Sequence, residues 1–375
     1  MSRHRVPERA TKPMRASGAA ATADTSAGAF ESETAETLIS YYRMMVLVRA
    51  FEERTAEMYQ RAKIGGYCHL NLGEEATIVA LMEAISARDY LFTSYREHGY
   101  ALARGIEPGR VMAELFGKKT GVSRGRGGSM HLFDVASRLY GGYAIVGGQI
   151  PLATGAALAI TYRRSDEVVM CQLGDGATNI GAFHECLNLA QLWRLPIVYV
   201  VVNNGLGMGT TVEAASAEPE LYRRASAYRM HSELVDGDDL LAVRDAARRA
   251  VHRARQEHLP TLLETTSYRL RGHSVVDPAR YRSKEEVEET ERHDPIPPFR
   301  LGLVAAGVLD DPKVAAIDSE VERQVNDAVA FADAGPDPRA QDLFAYAYAT
   351  PVANAPKAFP GAPLITGSEE EEGAR

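Results

Sequence analysis

Between residues 167 and 266, short apolar runs alternate with stretches of helical period, and that alternation leaves few architectures open. Glu167 to Leu173, Ile197 to Val202 and Thr261 to Thr266 read as strands. Gly181 to Trp193 and Leu240 to Arg255 read as the helices between them. The strand runs are nearly continuous in apolar residues, as strands covered on both faces are. Strand, helix, strand, helix, strand predicts an α/β fold: a doubly wound, mostly parallel sheet with helices on both faces. Upstream, Leu38, Tyr42, Met45, Val46 and Phe51 recur close to a helical period, which predicts a long helix over 38–62. A chain of 375 residues has ample length for a buried core, and no internal repeat of fixed period is present.

The first strand run ends in Gly174-Asp175-Gly176 and the second in Asn203-Asn204. Asp175 and Asn204 lie 29 residues apart, about the length of one βαβ unit, whose right-handed crossover puts both strand ends on one edge of the sheet. The two residues are therefore expected to be neighbours. In open α/β sheets that edge binds ligands, and here it offers a carboxylate, an amide carbonyl and glycines that permit close backbone approach. Hard oxygen ligands too few to cage an ion suit magnesium shared between the protein and a diphosphate. Taken singly, Gly-Asp-Gly is a common turn and Asn-Asn before glycine an ordinary loop. Their pairing at βαβ spacing carries the inference. A dinucleotide-binding loop competes for the same segment, but it needs a glycine at 179, where this chain has Asn179.

Residues 1–30 carry Arg3, Arg5, Arg9, Lys12 and Arg15 ahead of an Ala/Ser/Thr/Gly stretch, and are expected to form a disordered arm. A transit peptide shares that composition, but no amphipathic face is evident. Residues 351–375 combine repeated prolines with Glu369 to Glu372 and are expected to be a solvated, Pro-rich acidic tail, leaving a single domain over 31–350. Acidic residues exceed basic ones by 50 to 42, a formal charge of -8, which gives no whole-chain attraction to nucleic acid or anionic lipid. No apolar run approaches the roughly 20 residues that span a bilayer, so no membrane partner is expected. Cys68, Cys171 and Cys186 are far apart with no CxxC pair and read as buried thiols. Such thiols fit a reducing compartment, the cytoplasm, with the mitochondrial matrix as the alternative.

The segments around these strand ends resemble a known family. Tyr67-Cys68-His69-Leu70, Gly73-Glu74-Glu75-Ala76, Ser94-Tyr95-Arg96-Glu97-His98-Gly99, Gly127-Gly128-Ser129-Met130-His131, Ile145-Val146-Gly147 and Tyr268-Arg269-Leu270-Arg271-Gly272-His273-Ser274 occur in that family's order. Gly174-Asp175-Gly176 with Asn203-Asn204 resembles the thiamine diphosphate and magnesium motif. Together they are similar, over about residues 38–350, to the alpha subunits of the pyruvate dehydrogenase (acetyl-transferring) components of 2-oxo acid dehydrogenase complexes. The resemblance implies a thiamine diphosphate-binding fold and oxidative decarboxylation of pyruvate, with the acetyl group passed to the lipoyl arm of a dihydrolipoyl acetyltransferase. It also implies a two-alpha, two-beta enzyme, in which a separate beta subunit supplies the glutamate that activates the aminopyrimidine. Acetoin or branched-chain 2-oxo acids are the alternative substrates. A non-catalytic scaffold paralogue is the reading from another class, and it would need Asp175, Asn204 or His273 to be lost.

By position in these motifs, Tyr95 and Arg96 are implied to bind the diphosphate, and Ala144, Val146, Gly176 and Ala177 to contact the cofactor. Asp175 and Asn204 match magnesium ligands, joined by the main-chain carbonyl of Leu206. His69 matches a histidine at the substrate end, and His273 a cofactor-touching histidine on a mobile loop over the channel. Imidazole can donate or accept a proton near neutral pH, which suits both to catalysis. The chain departs from the family at Leu206, usually tyrosine, at Ala144, commonly glycine, at Ile180, often glutamine, and at Val202, often glutamate. The glycine-rich stretch Gly121 to Ser129, with Arg124 and Arg126, is expected to be a flexible segment over the cofactor entrance.

Overall fold

A computed structural model describes residue 30 and residues 33–343 of the chain. The basic arm up to residue 29, the acidic tail, and both expected domain boundaries, at 31 and 350, lie outside the described residues. The described residues up to Asp337 form one compact unit, and from Pro338 a second begins, described as far as the 3₁₀ turn Ala340–Leu343.

Strands β1 (Tyr90–Ser94), β2 (Leu139–Tyr143), β3 (Val169–Gly174), β4 (Ile197–Asn203), β7 (His231–Asp236) and β8 (Thr261–Thr266) build a six-stranded sheet in the order β2-β1-β3-β4-β8-β7. Every neighbouring pair is parallel. A separate two-stranded antiparallel ribbon joins β5 (Leu206–Gly207) and β6 (Thr210–Thr211). The expected doubly wound parallel sheet is present, and the reason is visible in β4, all of whose residues are buried. Val198, Val200 and Val202 enter one core with the helices Ala35–Gln60, Glu75–Ala84 and Leu240–His252. Ile197, Tyr199 and Val201 enter a second core with the helices Gln149–Arg163 and Gly181–Leu192. Alternate side chains point to opposite faces of a strand, so a continuous apolar run feeds two layers at once.

The long helix predicted over 38–62 runs Ala35–Gln60, and the Thr34 hydroxyl caps it by accepting the Thr37 N–H at 3.2 Å. Its buried stripe, Leu38, Tyr41, Tyr42, Met45, Val48, Phe51 and Met58, faces the first core. Burial of such side chains contributes roughly 1.5–3 kcal/mol each, an upper bound because the unfolded chain is itself partly compact. The helix expected to end at Arg255 leaves α geometry after His252 and continues as one π turn, Arg253–Glu257. From that turn Arg255 pairs with the buried Asp89 at 2.7 Å.

The sheet order fixes where a ligand can sit. From β1 the chain crosses to β2 on one side, and from β3 to β4 on the other. The crevice between the carboxyl ends of β1 and β3 is thus the topological switch point, where open α/β sheets bind ligands.

Candidate active site

Parallel strands end at one edge, and the residues that follow them converge there. Tyr95 and Arg96 follow β1, Ala144 to Val146 follow β2, Asp175 to Ala177 follow β3, Asn204 follows β4 and Arg269 lies three residues beyond β8. Gly174 of β3 is opposite Val202 of β4 in register, and the main-chain N–H of Asn204 donates to the Asp175 carboxylate. The expected neighbourhood of Asp175 and Asn204 is therefore present.

Asp175 is 6% exposed. Desolvation pushes its carboxyl above the usual range, opposed by its own amide, Arg269, the Asn204 amide and Arg96. A buried carboxylate without a direct ion pair among the described residues is short of positive charge, which suits a cation. The Asn204 Oδ1 accepts the Leu206 N–H at 3.3 Å, and the Leu206 carbonyl accepts from Arg269 Nη1 at 3.0 Å. Each oxygen keeps a second lone pair. Among the described residues no group of three or more His, Cys, Asp or Glu side chains is placed to hold a metal. An ion here would draw on Asp175, Asn204 and the Leu206 carbonyl, with its remaining ligands from a bound molecule or water. A Cβ built on Gly176 meets nothing within 4 Å, so the main chain there has free space beside it. Ala177 is buried, Ala144 is intermediate, and Val146 is half exposed at the rim.

Two arginines supply the opposite charge. Arg96, 6% exposed, pairs with Glu74 at 3.7 Å and donates to the carbonyls of Leu70 and, at 3.0 Å, His273. Arg269, 2% exposed, donates to the carbonyls of Leu206 and Met208 and to the Tyr281 hydroxyl, and approaches His273 Nδ1 at 3.2 Å. It has no carboxylate ion pair among the described residues, and its Nε has no hydrogen-bond partner. A buried guanidinium that lacks its counter-ion fits an anionic ligand with several oxygens. In the sequence Arg269 is one residue of the Tyr268 to Ser274 motif, and only the fold gives it a role.

The rings of His69 and Tyr95 are 4.4 Å apart, those of His69 and His273 5.0 Å, and those of Tyr95 and His273 5.9 Å. Desolvation, then the positive charge of Arg96, lowers His69 to about 3 and His273 to about 4. Both imidazoles are neutral at pH 7, each with one N–H to give and one lone pair to receive. His69 Nδ1 is buried and unpartnered. His273 sits in a loop laced by hydrogen bonds: Asp277 Oδ2 accepts the His273 N–H at 2.7 Å and the Tyr281 hydroxyl at 2.6 Å.

The neutrality of His69 has a measurable consequence. An unfolded histidine takes a proton near 6.5, whereas folded His69 stays neutral down to about 3, so the unfolded state binds more protons between those values. Stability contributed at this site is lost as pH falls below 6.5. Buried Glu97, raised to about 8 mainly by desolvation, opposes this trend in part of the same window. Only the difference between His69→Gln and wild type isolates the histidine. The fall in melting temperature from pH 7 to pH 5 is expected to be smaller in the variant; an equal fall would show that His69 becomes protonated in place.

The glycine-rich stretch is not the flexible segment expected. Buried Glu114 accepts four main-chain N–H bonds from it: Ser123 and Gly125 on Oε2 at 2.8 Å, Gly127 and Gly128 on Oε1 at 2.7 and 3.2 Å. Gly121 lies so close that an added Cβ would stand 2.4 Å from Glu114 Oε2. The loop is folded around a carboxylate from the preceding helix, Pro108–Leu115. Beyond it, Ser129 meets buried His98 at 3.0 Å, and His131 Nδ1 faces the Gly142 carbonyl at 3.0 Å. His131 is thereby part of the scaffold.

Comparison with known proteins agrees with this geometry. The sequence pattern of the family described as "Dehydrogenase E1 component" matches residues 42–341. The chain is 43% identical over 311 residues to the pyruvate dehydrogenase E1 component subunit alpha of Zymomonas mobilis, covering 82% of this chain and 88% of that protein. It is 42% identical over 322 residues to the Rhizobium meliloti protein of the same description, covering 86% and 92%. The Porphyra purpurea counterpart is 41% identical over 323 residues, covering 84% and 94%.

Proposed function

Since this chain belongs to the dehydrogenase E1 component family, we propose that it is the alpha subunit of a pyruvate dehydrogenase that is thiamine diphosphate- and magnesium-dependent. The reaction is decarboxylation of pyruvate, with transfer of the acetyl group to the lipoyl arm of a dihydrolipoyl acetyltransferase. The observation that carries this reading is the convergence, at the switch point, of the buried Asp175 with two buried arginines and two neutral histidines. When bound, thiamine diphosphate supplies the electron sink for breaking the carbon–carbon bond.

The chain's own residues bind, orient and move protons. Asp175, Asn204 and the Leu206 carbonyl would hold magnesium. Arg269 and the spare donors of Arg96 would neutralise the diphosphate, and Tyr95 would donate its hydroxyl. His69 and His273 are held neutral by burial and by the nearby arginines. His69 has a free ring nitrogen to give or take a proton, while His273, whose Nδ1 accepts from Arg269, presents its Nε2 N–H as a donor and would take a proton at Nδ1 only by giving up that bond. In the departures from the family pattern, leucine at 206 keeps the carbonyl and gives up the phenol ring.

A partner subunit is supported by exposed apolar surface. On the helix Gln149–Arg163, Leu152 is 51%, Leu158 41% and Tyr162 89% exposed, and at the end of the adjoining helix Leu192 is 67% and Trp193 45% exposed. Such a face suits an obligate interface, here with the beta subunit of a two-alpha, two-beta assembly. Three free, buried cysteines fit a reducing compartment, for which we take the cytoplasm. Among the described residues no helix is long and apolar enough to cross a membrane.

The test is carbon dioxide release by the full-length chain co-purified with its beta subunit, offered pyruvate and a branched-chain 2-oxo acid, with acetoin cleavage assayed alongside. Pyruvate is expected to be preferred, and the chain alone to be inactive. A stronger response to either other substrate reassigns the specificity. No turnover of any of them sinks the enzymatic reading, and pyruvate decarboxylation by the chain alone sinks the divided active site.

A further inference from the structure

Glu264 sits near the middle of β8, opposite Val201 of β4, and is 2% exposed. Among the described residues no cation pairs with it, yet both of its oxygens are used. Oε1 accepts from Asn203 Nδ2 at 2.7 Å, and Oε2 accepts the main-chain N–H of Tyr222 at 2.7 Å. A carboxylate accepts and cannot donate, so Asn203 must turn its NH₂ toward Glu264 and its carbonyl oxygen away. That oxygen accepts the N–H of Gly205 at 2.9 Å, where the chain turns through a positive φ of 76°. The next two residues of the turn are linked in the same manner, Asn204 Oδ1 to the Leu206 N–H. Tyr222, held by the other oxygen, is the second residue of the 3₁₀ segment Leu221–Tyr228, whose Arg224 donates to the Thr178 carbonyl, just beyond Asp175 to Ala177.

We propose that Glu264 is a positioning residue that fixes the orientation of the Asn203 amide and, through it, the turn that presents Asn204 and the Leu206 carbonyl to the cation. The inference rests on the reading of Asp175, Asn204 and Leu206 as the magnesium site. Asn203 then has a role distinct from that of Asn204: it shapes the turn and offers the ion nothing. Glu264 acts two steps behind the ion, from a strand 61 residues further along the chain than Asn203.

The polarity of these hydrogen bonds can be reversed. Glu264→Gln places an NH₂ where one of two donors must be received, and Asn203→Asp sets two carboxylates against each other. In the double variant the introduced glutamine donates to the introduced aspartate and still accepts from Tyr222, while the aspartate still accepts from Gly205. The readout is the melting temperature of the assembled enzyme against magnesium concentration, at fixed saturating thiamine diphosphate. Each single variant is expected to raise the half-saturating magnesium about tenfold, the lower end of what losing an outer-shell partner of a metal ligand costs. The double variant is expected to return it close to wild type, a coupling that only interacting residues show.

Unchanged half-saturation in Glu264→Gln, or a double variant carrying the summed defects of the singles, would overturn the proposal. So would failure of all three variants to assemble, which would make Glu264 a residue of the core alone. Asp175→Ala, measured alongside, separates the two levels of inference. If it leaves the magnesium curve in place, the cation-site reading fails and the positioning role falls with it. If it removes the magnesium response while Glu264→Gln does not move it, only the positioning role fails.

Discussion

Asp175→Ala is expected to abolish magnesium-dependent binding of thiamine diphosphate while leaving the ligand-free assembly close to wild type in stability. Two effects of the carboxylate offset each other in the empty site. Asp175 is buried, and desolvation raises its carboxyl above the usual range, so keeping it ionised in the empty site costs stability. Alanine removes that cost, gives up the bond from the Asn204 N–H and the attraction of Arg269 and Arg96, and takes away the only anionic ligand of the proposed set. With thiamine diphosphate at about 100 times its dissociation constant in saturating magnesium, wild type gains roughly 2.7 kcal/mol over the same protein without the cofactor, provided the unfolded chain binds neither. The variant should gain almost none of it. Thermal unfolding with and without magnesium and thiamine diphosphate, on both proteins assembled with the beta subunit, decides the matter. Equal stabilisation of the two would mean that Asp175 does not ligate the ion.

Asp175 and Asn204 could be found in the sequence because a parallel sheet makes two strand ends meet by rule, and β3 and β4 are apolar along their length. Three strands of the sheet went unread: β1, Tyr90–Ser94, is a five-residue run with three buried residues at its centre, too short to stand out, and the other two lack the signal. β2, Leu-Tyr-Gly-Gly-Tyr, carries two glycines, and β7, His231–Asp236, lies at the sheet edge with most of its side chains exposed to some degree. An edge strand needs no continuous apolar run, so its sequence looks like loop. The polar groups that shape the site follow the same division. Glu114 gathers the amides of a glycine-rich loop and Glu264 orients Asn203, and each depends on a contact that no periodicity announces. A buried carboxylate is visible in a sequence only as a charged residue, and its partners are set by the fold. The protonation state of His69 and His273 is likewise a property of the folded arrangement, since it comes from burial and from Arg96, which closes on His273 from a different strand end.

His273→Ala is expected to lower acetyl transfer to a lipoyl domain by about 10²- to 10⁴-fold, the range lost when a positioned proton-transfer group is removed. Stability should change by only about 1 kcal/mol or less, typical of a substitution that breaks no buried network. The structure gives the reason for that separation. The bonds that tie the loop at this position use the main chain: Asp277 accepts the His273 N–H and Arg96 donates to its carbonyl, and alanine keeps both. The imidazole itself has one polar contact, with Arg269 at 3.2 Å, and ring contacts with His69 and Tyr95. Losing it leaves Arg269 bound to the Leu206 and Met208 carbonyls, so the cation site and the loop both persist. Transfer rate and melting temperature should be measured on the same preparations, with thiamine diphosphate and magnesium saturating so that a binding defect is not read as a catalytic one. Near-normal transfer in His273→Ala would make the histidine a loop residue and leave His69, also neutral and within 5.0 Å ring to ring, as the group in this chain placed to handle the proton.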